Sequence, residues 1–367
     1  MSWLYRRLIR PALFTQDPEE IHGQTLHALS LAGRHEVLCD ALESFLAPPP
    51  LPVEVFGLEF PNPVGLAAGM DKAGEAVPTW SAMGFGFTEL GGVTQHGQPG
   101  NPLPRIFRAI PAEAIVNRMG FNNPGADSLA RTLAVWHNSG RWPDHPVGIN
   151  LGKTKITSLE KAAEDYAHSY RVLSPLADFF VINVSSPNTP NLRQLQDKSA
   201  LDDILAVLGE TGGHSPKPIL VKVAPDLSFD ALNDVVDVAM KRRIAGIVAT
   251  NTTVTRPDSN DPGVRAVFSE AGGLSGRPLR ARSTEVIRHL FRQTNGQLPI
   301  IGVGGIFNAE DAWEKIASGA TLVQIYTGIV YEGPTVAKQI VNGLRRKLQE
   351  YGCKRLADAV GICMNTK

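Results

Sequence analysis

Ile300-Ile301-Gly302-Val303-Gly304-Gly305-Ile306 is followed by an amphipathic segment over Ala309–Ala317 and then by Leu322-Val323-Gln324-Ile325-Tyr326-Thr327-Gly328. A short apolar burst bounded by glycine reads as a buried strand, and a helical stretch between two such bursts reads as a crossover between parallel strands. Working outward, the same alternation fills most of the chain. Earlier bursts lie at Val64–Ala68, Phe85–Leu90, Val147–Leu151, Phe179–Val184, Ile219–Val223 and Ile244–Thr250. Amphipathic segments such as Ser158–Leu173, Phe229–Lys241 and Thr284–Phe291 separate them. Strand and helix in alternation imply a parallel sheet. Eight such units over roughly 300 residues predict an α/β fold of the (β/α)8, or TIM-barrel, type. An open, doubly wound sheet is the alternative. Two connections are long for this pattern, Gly91–Gly120 and Thr252–Leu279, and long connections are often functional.

The bulk composition agrees with a globular chain. Of 367 residues, 43% are hydrophobic and 20% charged, which excludes a disordered chain and a coiled coil. Lys+Arg and Asp+Glu each number 36, so the balance is zero and no nucleic-acid partner is expected. Cys39, Cys353 and Cys363 form no CxxC pair, so neither a disulfide framework nor a zinc site is read, and a reducing compartment is expected. No apolar run is long enough to span a bilayer.

The first 47 residues differ from the rest. Trp3, Leu4, Tyr5, Leu8, Ile9 and Leu13 are interleaved with Arg6, Arg7 and Arg10, and no acid precedes Asp17. Such a basic, Trp-bearing amphipathic helix suits a membrane interface; equally, it is a terminal helix packed on its own domain. Arg6-Arg7 resembles an export signal, but Pro11, Gln16, Asp17 and Pro18 interrupt any apolar run, and export is not expected. Asp17-Pro18-Glu19-Glu20 marks a helix start, with Asp as N-cap and Pro at the first helical position. Ile21, Thr25, Ala28, Leu29 and Ala32 then form one helical stripe and Leu38, Ala41, Leu42 and Phe45 another, until Pro48-Pro49-Pro50 ends the unit. The division expected is a helical extension over 1–47, a barrel over 48–350 and a tail over 351–367 without a readable motif.

In a barrel of this type the chemistry sits at the carboxyl ends of the strands. Those ends read Ala68-Gly69-Met70-Asp71-Lys72, Asn150, Asn183-Val184-Ser185-Ser186-Pro187-Asn188-Thr189, Lys222, Thr250-Asn251-Thr252, Gly302-Val303-Gly304-Gly305 and Tyr326-Thr327-Gly328. One Asn or Ser at a strand end is ordinarily a cap or a turn. Turns do not explain seven strands presenting polar groups at one mouth. Glycines after the seventh and eighth strands let backbone N–H groups approach an anion, which favours a phosphate seat. No pair of close acids and no metal-spaced cluster occurs at these ends, so neither a glycosidase nor a metal site is expected. Two lysines, several amides and a phosphate seat suit a planar, anionic, hydrogen-bonding substrate beside a phosphorylated cofactor. Flavin chemistry and phospho-sugar isomerisation both satisfy that list.

Seven motifs, in order, narrow the choice: Gly65-Leu-Ala-Ala-Gly-Met-Asp-Lys72, Asn117-Arg-Met-Gly-Phe-Asn-Asn123, Asn183-Val-Ser-Ser-Pro-Asn-Thr-Pro190, Val221-Lys-Val-Ala-Pro-Asp-Leu227, Thr250-Asn-Thr-Thr253, Gly272-Gly-Leu-Ser-Gly276 and Ile301-Gly-Val-Gly-Gly-Ile306. Together they resemble the quinone-dependent, class 2 dihydroorotate dehydrogenases over nearly the whole chain. The resemblance implies one FMN per chain, oxidation of (S)-dihydroorotate to orotate in pyrimidine synthesis, and Ser186 as the general base for the C5 proton while the C6 hydride goes to flavin. It places Lys72, Asn117, Arg118, Met119, Gly120, Phe121, Asn183, Asn188, Asn251 and Thr252 around the substrate. Ala68, Gly69, Lys72, Gly92, Asn150, Asn183, Lys222, Thr250, Gly276, Gly305, Tyr326 and Thr327 would hold FMN. Thr189 and Phe121 match a proton relay beside the serine. Serine in place of the cysteine of class 1, and the helical start, both favour class 2.

The same resemblance turns residues 1–47 into an apolar quinone tunnel at a bilayer surface, with His22, Arg105 and Tyr326 near the quinone head. It implies a peripheral enzyme on the cytoplasmic side of a bacterial inner membrane, with no obligate protein partner. One departure is visible: Gly91-Gly92-Val93-Thr94 stands where the family commonly carries Gly-Thr-Val-Thr, so Gly92 removes a hydroxyl.

Overall fold

The computed structural model describes residues 2–213 and 216–364; the last three residues of the 351–367 tail lie outside them. Eight parallel strands close into a barrel: β1 (Val64–Leu66), β2 (Phe87–Val93), β3 (Val147–Leu151), β4 (Phe179–Asn183), β5 (Ile219–Val223), β6 (Gly246–Ala249), β7 (Ile300–Val303) and β8 (Leu322–Ile325). Each burst read from the sequence is one of these strands. Only the second is displaced, because the chain runs on as a strand through Gly91 and Gly92, pairing Gly91 with Asn150 and Val93 with Leu151 across a bulge.

The amino-terminal end of the barrel is apolar and full. Phe87 and Phe179 cross it with ring centroids 6.3 Å apart, and Phe60 of the hairpin Val53–Val55/Leu58–Phe60 packs edge-on to Phe87 at 5.3 Å. Gly65 and Gly148 make room for them: a Cβ on Gly65 would fall 2.3 Å from the Phe87 ring, and one on Gly148 would fall 2.1 Å from the Phe179 ring. Burying such rings supplies a large share of core stability. The floor therefore carries packing and leaves the opposite mouth free for chemistry.

The outer helices follow their caps. Ser228 accepts from Ala231 N–H to start Phe229–Arg242, and Asn308 accepts from Asp311 N–H to start Ala309–Ala317. The two long connections are not open loops. Ala114–Asn117 pairs antiparallel with Ile106–Ala109 on one side and with Gly273–Gly276 on the other, so both excursions join in one three-stranded sheet over the mouth.

Before the barrel come helix α1 (Pro18–Gly33) and helix α2 (Glu36–Leu46). Asp17 caps α1, accepting from Glu19 and Glu20 N–H at 2.8 and 3.1 Å. Both helices pack on the barrel helix Val77–Ala82, where Thr79 Oγ1 donates to Leu29 O at 2.7 Å. Ahead of them, Ser2–Leu13 is helical, with a π segment over Tyr5–Ile9. One face docks: Tyr5 OH donates to Val330 O and Arg10 to Tyr331 O. The other face leaves Trp3 65% and Leu8 59% exposed, and α2 leaves Val37 and Phe45 outward as well. No described helix is long and apolar enough to cross a membrane.

Candidate active site at the mouth of the barrel

One carboxylate organises the site. Glu89 lies on β2, fully buried, and accepts from Asn150 Nδ2 and Gln324 Nε2, each at 2.6 Å, with Lys222 Nζ 3.8 Å away. Both of its oxygens accept here, so the Asn150 amide presents its nitrogen to it. Asn150 Oδ1 is then left to accept from Asn183 Nδ2 at 2.9 Å, and Asn183 Oδ1 accepts from Asn251 Nδ2 at 3.2 Å. Asn251 Oδ1 accepts from Thr252 N–H at 2.8 Å. The polarity of three asparagines on three strands thus follows from one acid. Sequence reasoning missed Glu89 and Gln324; the available signal was a charged and an amide residue inside otherwise apolar strand bursts.

Asp71 fixes the turn after β1. Fully buried, it accepts from the N–H groups of Glu75 and Ala76 and from Trp80 Nε1, and burial raises its pKa. The next residue, Lys72, reaches over the mouth and donates to Asn122 Oδ1 at 2.7 Å. Burial lowers its pKa to about 8; Glu19 opposes that fall and Arg105 adds to it.

Ser186 is buried in the loop after β4, its Oγ accepting from Asn188 N–H at 3.3 Å. Asn188 Nδ2 donates to Asn117 Oδ1 at 3.1 Å, which ties that loop to the sheet over the mouth. Two buried side-chain oxygens here have no partner, Thr189 Oγ1 and Gln324 Oε1. Buried polar atoms are ordinarily satisfied, so these two mark where a ligand or water belongs. Phe121 takes a left-handed backbone, φ 53°, and its ring fills the space over Gly92 and Gly152. After β7, Gly305 (φ 70°) abuts Arg280, whose Cβ would lie 2.5 Å from any Cβ at that position, so only glycine fits the cradle.

Of the residues expected at the site, Ala68, Gly69, Lys72, Gly92, Asn117, Met119, Gly120, Phe121, Asn150, Asn183, Ser186, Asn188, Lys222, Thr250, Asn251, Thr252, Gly276, Gly305, Tyr326 and Thr327 line one cavity. Arg118 does not join them. Its guanidinium lies over the Phe107 ring and pairs with Glu270 at 2.6 Å, turned away from the mouth.

A second, apolar cavity lies beside the first and shares Asn117 and Tyr326 with it. Leu13, Phe14, Ile21, His22, Leu29, Met70, Trp80, Ile106 and Val330 line it, so its walls come from α1, the preceding helix and the barrel top. Burial lowers the His22 pKa to about 4 and keeps the ring neutral; burial raises that of Tyr326 to about 12. Arg105 stands behind this cavity, outside its lining, gripping Glu19 with Nε at 2.9 Å and Nη2 at 2.6 Å. Among the described residues no group of His, Cys, Asp and Glu is placed to hold a metal.

Known proteins resemble this chain along its length. Residues 50–348 match the family model for dihydroorotate dehydrogenase. Dihydroorotate dehydrogenase (quinone) of Gloeobacter violaceus is 52% identical over 361 residues, covering 98% of this chain and 99% of the relative. That of a Nostoc species is 49% identical over 376 residues, covering 98% of each. Among solved structures, the dihydroorotate dehydrogenase of Eimeria tenella superposes with TM-scores of 0.83 in complex with ferulenol and 0.84 ligand-free, at 36% identity over 95% of this chain. With its closed barrel, its polar mouth and its adjoining apolar cavity, the chain belongs to the dihydroorotate dehydrogenase family, on the quinone-dependent branch.

Proposed function

We propose that the chain oxidises (S)-dihydroorotate to orotate in pyrimidine biosynthesis, with FMN in the polar cavity and a membrane quinone as final acceptor. The observation that carries this reading is the junction of the two cavities: polar groups from the strand ends line one, apolar helices line the other, and Asn117 and Tyr326 belong to both.

The polar cavity fits such a cofactor. Gln324 Oε1 is buried without a partner, Lys222 stands on the cavity wall, and the Gly305 cradle exposes backbone where phosphate would sit. Lys72, Asn150, Asn183, Lys222 and Thr250 would hold the ring and ribityl chain, and Gly276, Gly305 and Thr327 the phosphate. FMN would supply the hydride acceptor and the electrons passed to quinone.

The protein's own groups handle the substrate. Asn117, Asn188, Asn251 and Thr252 would pair with the donors and acceptors of the pyrimidine ring, each held in one orientation by the network around it. Lys72 would place positive charge beside substrate and cofactor. Ser186 Oγ would take the C5 proton. A serine hydroxyl is a weak base and must pass the proton on; the unpartnered Thr189 hydroxyl three residues along supports such a relay, and the Phe121 ring closes one side against bulk water.

Residues 1–47 would form the quinone-tunnel unit, 48–350 the catalytic barrel and 351–367 a tail. The outward Trp3, Leu8, Val37 and Phe45 suit insertion into a lipid surface, with the exposed Arg7 toward anionic headgroups, while Arg6 pairs with Glu332 at 3.5 Å. On this reading the enzyme is peripheral, on the cytoplasmic side of a bacterial inner membrane. The test is oxidation of dihydroorotate by the purified protein with a quinone analogue, fumarate and NAD side by side. Turnover with the quinone alone is expected; turnover with fumarate or NAD instead would remove the tunnel reading.

A further inference from the structure

Asp226 belongs to the Val221–Leu227 motif, yet it lines neither cavity. It sits at a junction. Its carboxylate accepts from Val254 N–H at 3.2 Å and from the Thr253 and Thr255 hydroxyls, all in the segment that follows Asn251 and Thr252. From the other direction it pairs with Arg193 Nη1 at 2.9 Å. Arg193 lies in the loop after β4, seven residues beyond Ser186. Its two remaining nitrogens are also committed: Nε donates to Ser185 O at 3.1 Å and Nη2 to Thr252 O at 3.3 Å. One planar guanidinium therefore joins the carbonyl before the proposed base, the carbonyl of a proposed substrate contact, and a fixed carboxylate.

The carboxylate is itself anchored. Arg282, at the start of the helix Arg280–Gln293, donates from Nε to Pro225 O and from Nη2 to Leu227 O, each at 2.8 Å, clasping the residues on either side of Asp226. The Arg193 segment meets the same turn a second time: Gln196, at the end of the 3-10 turn Leu192–Gln196, accepts from Ala224 N–H at 3.0 Å through Oε1. The turn after β5 is thus a rigid post. The Ser186 loop needs one, because it contains Pro187 and Pro190 and turns through Asn191 in a left-handed conformation, φ 59°, so little regular structure holds it.

We propose that Arg193 is a positioning residue for dihydroorotate oxidation: with Asp226 as its post, it sets the Ser186 backbone and the Asn251–Thr252 segment at a fixed separation across the substrate. The proposal rests on the substrate site described under Proposed function. Arginine is required for its geometry. A lysine ammonium restores the charge toward Asp226 but does not present three coplanar donors to three acceptors. Misplacement of a reacting group by about 1 Å costs about 100-fold in rate. Arg193 faces the substrate loops and not the apolar cavity, so the electron exit to quinone is independent of it.

The test uses the full-length, flavin-loaded protein in stopped flow, reading flavin bleaching by dihydroorotate and flavin recovery with a quinone analogue separately. Orotate affinity is measured from the flavin spectrum. Arg193→Met is expected to slow bleaching about 100-fold and to weaken orotate about tenfold, with quinone-driven recovery unchanged. Arg193→Lys falls between, and Asp226→Asn alone produces a smaller loss in the same half-reaction. The double variant Arg193→Met/Asp226→Asn is no slower than Arg193→Met, as expected for two residues acting as one unit. Bleaching at the wild-type rate in Arg193→Lys and Asp226→Asn overturns the proposal, as does equal loss in both half-reactions. Should Arg193→Met fail to fold, these two variants still decide it. Ser186→Ala separates this from the underlying reading: if Ser186→Ala bleaches normally the base assignment fails, whereas a dead Ser186→Ala beside normal Arg193→Lys and Asp226→Asn refutes the Arg193 proposal alone.

Discussion

The two cavities that meet at Asn117 and Tyr326 are built on opposite principles. The polar one is assembled from strand ends, and a continuous set of hydrogen bonds from Glu89 to Thr252 fixes the orientation of its amides. The apolar one is assembled where helices pack on the barrel top, and hydrophobic contact, which is non-directional, shapes it. Directional bonds select one flat, hydrogen-bonding molecule. Apolar walls accept a ring with a greasy tail and discriminate weakly. A substrate that must be recognised and an electron carrier that must only be admitted call for these two constructions.

The comparison is sharpened most by removing one atom from the polar side. Ser186→Ala is expected to leave FMN bound and dihydroorotate oxidation down about a thousandfold, within the range for loss of a general base. Steady-state turnover beside the flavin spectrum checks it. An unchanged rate would take Ser186 out of the mechanism. On the apolar side, deleting residues 1–47 removes α1, α2 and the helix before them. It is expected to cost about 100-fold in quinone reduction and to abolish vesicle sedimentation, while FMN stays bound and bleaching by dihydroorotate persists. A truncated protein that still pellets with vesicles and reduces quinone would show that the helices are not the route.

The two constructions were unequally legible in the sequence. The barrel could be read because each strand is buried on both faces and leaves an apolar burst whatever its neighbours do. That the asparagines and Ser186 line the mouth could be read because a strand end is a defined place. Glu89 and Gln324 could not, since a buried acid is explained only by the amides and ammonium that converge on it from other strands. The sheet joining Ala114–Asn117 to Gly273–Gly276 was invisible for a related reason: its strands are four residues long, too short for periodicity, and their pairing is distant in sequence. Arg118 shows the limit of motif transfer, for it lies between two cavity residues yet points to Glu270. From the residues alone the apolar cavity showed as one unexplained helical stripe over Ile21–Leu29, because what a stripe covers is decided by the surface opposite; the tunnel expectation came from the family resemblance.

A smaller effect links the cavities through charge. Lys72 has its pKa lowered to about 8 by burial, with Glu19 of α1 resisting the fall. The sign follows directly: below pH 8 the ammonium persists and attracts an anionic ligand, and above it the neutral amine does not. Orotate affinity is therefore expected to hold from pH 6.5 to about 8 and then to weaken by up to about tenfold per unit, as one lost proton dictates. Titrating orotate by the flavin spectrum across that range checks it. A profile equally steep in Lys72→Met would assign the titration to another group.

The smallest expected effect concerns the one departure from the family pattern. A hydroxyl-bearing residue is common where this chain has Gly92, so Gly92→Thr looks like a repair. The local geometry argues otherwise. A Cβ there would lie 2.7 Å from the Phe121 ring edge and 3.1 Å from Asn150 Oδ1. The ring is the movable partner, and Phe121 already occupies a left-handed backbone that β-carbon-bearing residues adopt at a cost. The ring must swing out toward the substrate side, while Asn150 stays held by Glu89. Gly92→Thr is expected to keep FMN affinity within about twofold and to weaken orotate about threefold, an order of magnitude set by a strain of well under 1 kcal/mol. Tighter orotate in the variant would mean that Phe121 is seated by something other than the space Gly92 leaves, and the polar cavity would then be less sharply specified than its hydrogen bonds imply.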